Sequence, residues 1–146
     1  MLQQNTTRRI GYWLLHLHQL FDASTNRTLA PQGLTRRHWQ VLHALHIGVD
    51  TIEDIDTAFA PFLIADGIDS YASIVADFDD RGWISVNGTR FSLTDAGAAA
   101  HEKAEEQVEA HAEVQLKGIS ETEFLAANDV LARIAANVEE NPWTRQ

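Results

Sequence analysis

The stretch from Trp83 to Leu93 constrains the fold more than any other part of this chain. Its residues alternate around the dipeptide Asn87-Gly88, a pattern typical of a two-residue type I′ β-hairpin. The segment before it has helical periodicity: a helix can start within Asp66–Asp69 and run to Arg81, and Gly82 ends it. A hairpin that directly follows a helix predicts a wing.

Three further helices are predicted upstream. A long first helix runs from about Thr7 to Leu29 and ends at Ala30-Pro31-Gln32-Gly33, because proline is disfavoured inside a helix and glycine suits the turn beyond its end. Thr35 is a suitable N-cap for the second helix. A short third helix runs from Ile52 to about Ala60 and closes before Pro61.

Two more helices are predicted after the hairpin. Thr94 can cap a long, charged helix that reaches about Lys117. The capping box Ser120-Glu121-Thr122-Glu123 starts the last helix, whose apolar residues recur at a/d-like spacing from Phe124 to Val138. The first and last helices thus carry apolar stripes that need cover. Pairing them with the same helices of a second copy would bury both stripes in a two-fold dimer.

The sequence therefore predicts a mainly α fold with a small β-hairpin wing, that is, a winged helix-turn-helix that dimerises through its N- and C-terminal helices. Residues 1–146 are expected to form a single domain, because a chain of this length that is 45% hydrophobic suits one core. Within it, the helix-turn-helix and wing occupy about 34–97, and the dimerisation helices occupy about 7–30 and 98–140.

Composition argues against several classes of protein. The chain has no cysteine, which excludes a disulfide framework and thiolate chemistry and is compatible with a reducing cytoplasm. It shows neither a signal-peptide h-region nor an apolar run long enough to span a membrane, so we expect a soluble, cytoplasmic protein without membrane partners. A Gly-rich phosphate loop, a nucleophile elbow and a metal motif are all missing, so we do not expect an enzyme.

The charge is unevenly distributed along the chain. The net charge is −10, made up of +4 in residues 1–48, −9 in residues 49–80 and −5 in residues 81–146. Affinity for phosphate comes from Lys and Arg side chains that displace condensed counterions. Any DNA-binding surface must therefore use basic residues of the first third together with Arg81 and Arg90.

Four segments of the sequence match one known family: LAPQGLTRRHWQVL at residues 29–42, DRGWI at 80–84, LTDAG at 93–97 and ISE at 119–121. Through them the chain resembles the MarR-type winged helix-turn-helix regulators over nearly its whole length. The resemblance implies a homodimeric regulator of transcription whose recognition helix enters the major groove of double-stranded DNA and whose wings reach the minor groove. In many such proteins a small ligand, often aromatic or acidic, binds between the dimerisation helices and the DNA-binding lobe and changes the DNA affinity.

The sequence departs from this family where DNA would be touched. The outward positions of its recognition helix are Ser70, Ser73 and Asp77, and the family commonly has a basic residue at the latter two. The segment 60–65 is longer and more apolar than the usual turn between the two reading helices. Base readout favours Arg, Lys, Asn or Gln, although serine can also contact phosphates or bases. The candidate DNA contacts are Arg36, Arg37, Ser70, Tyr71, Ser73, Arg81, Asn87, Thr89 and Arg90.

Aromatic and histidine residues of the first two helices form a second candidate site. We interpret them as a ligand pocket with aromatic walls and polar tips; the alternative is that both tryptophans belong to the core. His43 and His46 could share a helix face with His16 nearby, but zinc needs three or four ligands, and neither a cysteine nor a nearby carboxylate completes the set. We therefore expect no metal and no cofactor. The candidate pocket residues are Tyr12, Trp13, His16, Trp39 and His43.

Two functions stay open at this point. One is a dimeric, ligand-responsive, DNA-binding transcriptional regulator. The other is a winged-helix dimer that has lost DNA binding and whose acidic lobe binds another protein or mimics nucleic acid.

Overall fold

The computed structural model describes residues 8–141, which form seven α-helices and one β-hairpin. The described residues up to His111 form one compact unit, and those from Ala112 onward form a second. A 3-10 turn at Ala30–Gln32 follows the first helix. The helices are α1 (Ile10–Leu29), α2 (Arg36–His46), α3 (Ile52–Ala58), α4 (Ala60–Asp66), α5 (Ala72–Asp80), α6 (Asp95–Gln115) and α7 (Glu121–Glu140), and the strands are β1 (Ile84–Asn87) and β2 (Arg90–Leu93).

Local capping sets several helix ends as predicted. The hydroxyl of Thr35 caps α2 by accepting a hydrogen bond from the backbone of the first turn. Ser120 and Glu123 exchange hydrogen bonds at the start of α7, which is the predicted capping box. The first helix ends at Leu29 as predicted, and its predicted start at Thr7 lies outside the described residues.

The prediction of an apolar turn at residues 60–65 is wrong, because this segment forms α4. Pro61 does not close a helix there. It lies in the first turn of α4, where a backbone N–H is not needed and the fixed φ of proline suits a helix. Gly67, at φ 68°, ends α4 in the left-handed conformation that glycine favours. Helix α5, the predicted recognition helix, therefore starts at Ala72, later than predicted.

The hairpin is confirmed, but its turn lies one residue further along the chain than predicted. Asn87 pairs with Arg90, so Gly88 and Thr89 are the central residues of the turn. Gly88 has φ 64°. Glycine at the first central position is the preference of a type II′ turn, which accounts for the shift. Asn87 and Thr89 are both exposed at the tip of the wing.

One hydrophobic core holds the elements of the first unit together. It joins the end of α1 to α2, α3, α5, β1 and α6, and Trp39 packs against it from one side. Burial of this apolar surface is the main stabilising contribution to such a domain. The core residues are Leu29, Leu34, Val41, Leu42, Leu45, Ile55, Tyr71, Val75, Phe78, Ile84 and Ala104.

Gly97 marks a close approach of α6 to the start of the wing. A Cβ atom at this position would lie 2.0 Å from the carbonyl oxygen of Trp83, so only glycine fits. The Thr94 hydroxyl donates to the carbonyl oxygen of Gly82 at 2.7 Å and accepts a hydrogen bond from the N–H of Gly97 at 3.2 Å. The segment from Thr94 to Gly97 thereby fixes the wing against the start of α6.

Helices α1 and α7 each carry an exposed apolar face. Large apolar faces of this kind mark interaction surfaces in soluble proteins. None of the described helices has the length and apolar character needed to cross a membrane. The large apolar residues that α1 exposes are Ile10, Tyr12, Trp13, Leu14, Leu15, Leu17 and Leu20, and those that α7 exposes are Phe124, Leu125, Val130, Ile134 and Val138.

Candidate DNA interface and ligand site

The start of the recognition helix offers two serines. Ser73 is exposed in the first turn of α5, and the hydroxyl of Ser70 accepts a hydrogen bond from the Ala72 N–H at 3.1 Å. Tyr71 differs from them, because it is 1% exposed and its hydroxyl donates to Asp66 at 3.1 Å. Burial, together with the Asp66 carboxylate, raises the pKa of Tyr71 to about 12. The Tyr71 side chain thus belongs to the core, and Ser70 and Ser73 remain as the candidate contacts at this end of α5.

Arg81, directly after α5, is held by groups of the protein itself. Its guanidinium donates to the carbonyl oxygens of Gln32 at 3.3 Å and Gly33 at 2.9 Å. Its Nε lies 3.0 Å from the Asp77 carboxylate, and its guanidinium carbon lies 4.8 Å from the centre of a Trp83 ring. Arg81 therefore ties the turn after α1 to the end of the recognition helix.

Asp77 has a second basic neighbour. Its carboxylate lies 3.5 Å from Nε2 of His38 on α2. Burial lowers the pKa of His38, although the charge of Asp77 acts in the opposite direction. The Asp77 carboxylate therefore forms an ion pair with Arg81 within the protein, and the His38 ring lies beside it.

Arg36 and Arg37, at the start of α2, are paired with two carboxylates. Asp22 accepts hydrogen bonds from both at 2.9 and 3.0 Å, and Asp66 accepts one from Nε of Arg37 at 2.7 Å. Burial alone would raise the pKa of Asp22, but the hydrogen bonds from the two arginines outweigh it and lower this pKa. The hydrogen bond from Arg37 likewise lowers the pKa of Asp66. All four residues line an open cleft of about 200 Å³.

Arg90 on the wing is the most accessible of the four candidate arginines in the helix-turn-helix and wing. Its side chain is 73% exposed, against 28% for Arg81, 19% for Arg36 and 11% for Arg37. Its Nε lies 3.4 Å from the carboxylate of Asp50. An exposed ion pair of this kind contributes little to stability, so breaking the contact between Arg90 and Asp50 costs little free energy.

The acidic partners of these arginines are the part of the interface that sequence reasoning misses. Asp22, Asp50 and Asp66 lie 14 to 40 positions from the arginines they pair with, so nothing local in the sequence indicates the pairing. Asp77 is four residues before Arg81, a helical spacing that could have indicated this one pair. Part of the negative charge of residues 49–80 therefore lies in ion pairs within the protein.

The candidate pocket residues fall into two groups. At the start of α1, the ring of Tyr12 packs against those of Trp13 and His16, with centroids 5.1 and 5.5 Å apart. On α2, the rings of Trp39 and His43 lie 5.1 Å apart. Within residues 8–141 no ring contact joins the two groups, so the structure does not bring all five side chains into direct contact.

His43 also belongs to a cluster that extends onto α6. Its Nδ1 lies 3.0 Å from Nε2 of His101, which is 2% exposed. The His101 ring stacks on His46 and on Trp39, with centroids 3.9 and 5.2 Å apart. Burial lowers the pKa of His101 and His46 adds to this effect, whereas Glu105 opposes it.

The cluster also contains a carboxylate, and the sequence analysis does not predict its presence there. Oε2 of Glu105 lies 4.0 Å from Nδ1 of His101, one helical turn away. The expectation that no nearby carboxylate accompanies the histidines of α2 is therefore wrong. The spacing of His101 and Glu105 is visible in the sequence, but their approach to His43 is a tertiary contact between residues 58 positions apart.

The order of these elements defines the class: the chain has the winged helix-turn-helix fold of the MarR-family transcriptional regulators. A MarR-family regulator from Rhodococcus sp. RHA1 is 21% identical, with a TM-score of 0.71 over 91% of this chain and 96% of that one. CouR from Rhodococcus jostii RHA1, bound to p-coumaroyl-CoA, is 21% identical, with a TM-score of 0.75 over 91% and 96%. S. aureus MepR in its complex with DNA is 15% identical, with a TM-score of 0.72 over 92% and 99%.

The Rhodococcus sp. RHA1 protein is described as a transcriptional regulator of the MarR family, and CouR is described as a transcriptional repressor. No protein-family model matches the chain, and no curated protein does either. At 15 to 21% identity the likeness shows the fold alone.

Proposed function

We propose that this protein is a homodimeric, DNA-binding transcriptional regulator of the MarR type whose DNA affinity responds to a small ligand. The observation that carries the proposal is the likeness over at least 91% of the chain to regulators that include one in complex with DNA and one bound to p-coumaroyl-CoA. In this proposal residues 1–146 work as a single cytoplasmic domain. The helix-turn-helix and wing span about 34–97, and the helices at about 7–30 and 98–140 make the dimer.

The exposed faces of the terminal helices support the dimer. Six large apolar side chains of α1 and five of α7 are at least 40% exposed. Covering such faces with the same helices of a second copy removes apolar surface from water, which is the main driving force of association.

For the DNA contacts, we propose that the wing anchors the duplex and that α5 reads it. Arg90 contacts a phosphate or enters the minor groove, with Asn87 and Thr89 beside it at the tip of the wing. Ser70 and Ser73 meet the major groove. Arg36, Arg37 and Arg81 support the surface through their internal ion pairs and contact phosphate only where a carboxylate releases them.

A small aromatic or acidic ligand is supported by the ring groups on α1 and α2. Tyr12, Trp13 and His16 offer flat apolar surfaces with polar tips, as do Trp39 and His43, and such surfaces suit an aromatic carboxylate. Both groups contain tryptophan, so a titration with p-coumarate can be followed by tryptophan fluorescence. We expect saturable quenching, and loss of the DNA complex at the same concentrations.

The test of the proposed function is fluorescence anisotropy of the purified protein with a randomised duplex pool and with its own upstream DNA, at two salt concentrations. We expect sequence-selective binding that weakens with salt, since each neutralised phosphate adds about −0.9 to the slope of log affinity against log salt. Absence of binding at low salt, by a protein shown to be folded and dimeric, would contradict the proposal. That result would favour the other function, a winged-helix dimer whose acidic lobe binds another protein or mimics nucleic acid.

A further inference from the structure

The cluster between α2 and α6 has the donor set of a metal site. We infer that it binds a divalent transition-metal ion of the zinc type through the imidazoles of His43 and His101 and the carboxylate of Glu105. Each of the three side chains offers one ligand atom, and these atoms lie within 4.8 Å of one another. All three residues belong to the first compact unit. The site goes beyond the proposed function and does not depend on DNA binding.

The spacing of the two imidazole nitrogens fits a shared ion. Nδ1 of His43 and Nε2 of His101 are 3.0 Å apart. Zinc binds imidazole nitrogen at about 2.0–2.1 Å, and tetrahedral geometry at that bond length separates two such nitrogens by about 3.3 Å. To admit the ion at this geometry, the two nitrogens must move about 0.3 Å further apart, and the rings must rotate so that both lone pairs point at the ion.

The His101 ring is held in place by its surroundings. It is 2% exposed, and the rings of Trp39 and His46 stack on it. A metal-binding side chain that is already ordered loses little conformational freedom when the ion binds. In the contact between His43 and His101, the N–H of one ring donates a hydrogen bond to the nitrogen of the other. The donor ring must change to the tautomer with its proton on the other nitrogen before both facing nitrogens can bind the ion.

Glu105 supplies the charge and the solvent side of the site. Its side chain is 39% exposed, and it lies one turn after His101 on α6. Two imidazoles and one carboxylate are among the ligand sets of zinc sites that keep a further position for water. His46 is left out of the set, because it faces His101 with the flat of its ring and not with a nitrogen.

An ion at this place would link the two helices that it touches. His43 lies on α2, the helix before the two reading helices, and the other two ligands lie on α6, which follows the wing. Binding would therefore add a cross-link between elements that are 58 residues apart in the sequence.

The test is isothermal titration of zinc chloride into the full-length protein after dialysis against a chelator. We expect one zinc ion per chain, and an affinity at least about tenfold lower in Glu105→Gln and in His43→Gln, since even outer partners of a metal site change affinity by about 10- to 100-fold. Glu106→Gln is the matched control: it removes the same charge from the adjacent, exposed position and should bind as the wild type does.

His101→Gln is not the main variant, because a change at a buried position can unfold the chain. Circular dichroism of both test variants checks that they are folded. Cobalt(II) gives an independent readout, since its visible absorption reports the ligand set and should change in Glu105→Gln but not in Glu106→Gln. Failure of the wild type to bind either metal, or equal affinity in the wild type and both test variants, would overturn the inference, whatever the protein does with DNA.

Discussion

Replacing Gly97 by alanine tests the account of how the wing is fixed. The added Cβ would lie 2.0 Å from the carbonyl oxygen of Trp83, 2.9 Å from its carbonyl carbon and 3.2 Å from its Cα. Overpacking costs about 1–3 kcal/mol, and a clash with backbone belongs at the upper end, at about 3 kcal/mol. The better helix propensity of alanine returns up to about 1 kcal/mol. Subtracting the gain in helix propensity from the cost of the clash, we expect the free energy of unfolding to fall by about 2 kcal/mol.

For a chain of this size, such a loss lowers the melting temperature by about 4–8 °C. The assay is thermal and urea unfolding followed by circular dichroism, at one fixed protein concentration because the stability of the proposed dimer depends on that concentration. The control is Gly11→Ala in α1, where a Cβ meets nothing within 4 Å and alanine should leave stability equal or slightly higher. Equal stability of Gly97→Ala and the wild type would refute the reasoning, as would an equal loss in the control.

Three further predictions concern DNA binding, acid stability and assembly. Arg90→Ala should weaken binding to all DNA sequences alike and make the slope of log affinity against log salt shallower by about 0.9. Ser73→Ala should act mainly on sequence preference. Unchanged affinity of both variants in fluorescence anisotropy would contradict the assigned contacts. The hydrogen bond from Arg37 is the main cause that lowers the pKa of Asp66 in the folded state. The ionised Asp66 therefore stabilises the fold above the unfolded pKa near 3.8, and this stabilisation is lost as the pH falls below that value. Urea unfolding at pH 5 and pH 3 should therefore show a smaller acid loss in Asp66→Asn than in the wild type, and equal losses would argue against the pairing. Ile134→Glu places a charge on the exposed face of α7 and should shift the protein to monomer in sedimentation velocity; a dimer of unchanged strength would place the interface elsewhere.

Much of the fold follows from local signals in the sequence. The caps at Thr35 and Ser120 set the starts of α2 and α7, and the alternation around Asn87-Gly88 predicts the hairpin. Two local signals mislead because each residue type allows two outcomes. Pro61 can close one helix or start the next, and a glycine can take either central position of a hairpin turn.

The chemistry of the candidate sites is much less visible in the sequence. The histidines of α2 can be noticed, but their approach to His101 and Glu105 depends on how α6 packs. The same limit applies to Asp22 and Asp66, which the fold brings to the arginines at the start of α2. Side-chain pairs between distant segments are set by the packing of whole helices, and a periodicity along one helix does not contain that information.

The internal ion pairs of the arginines bear on how the proposed regulator would find its site in a genome. Nonspecific attachment to bulk DNA draws on free cations, because it gains from counterion release. In this lobe Arg36, Arg37 and Arg81 are already neutralised by carboxylates of the same chain, which leaves little attraction to random sequence. A genome offers on the order of a million or more competing sites, so a regulator that ignores most of them keeps a larger share of its copies free to occupy an operator.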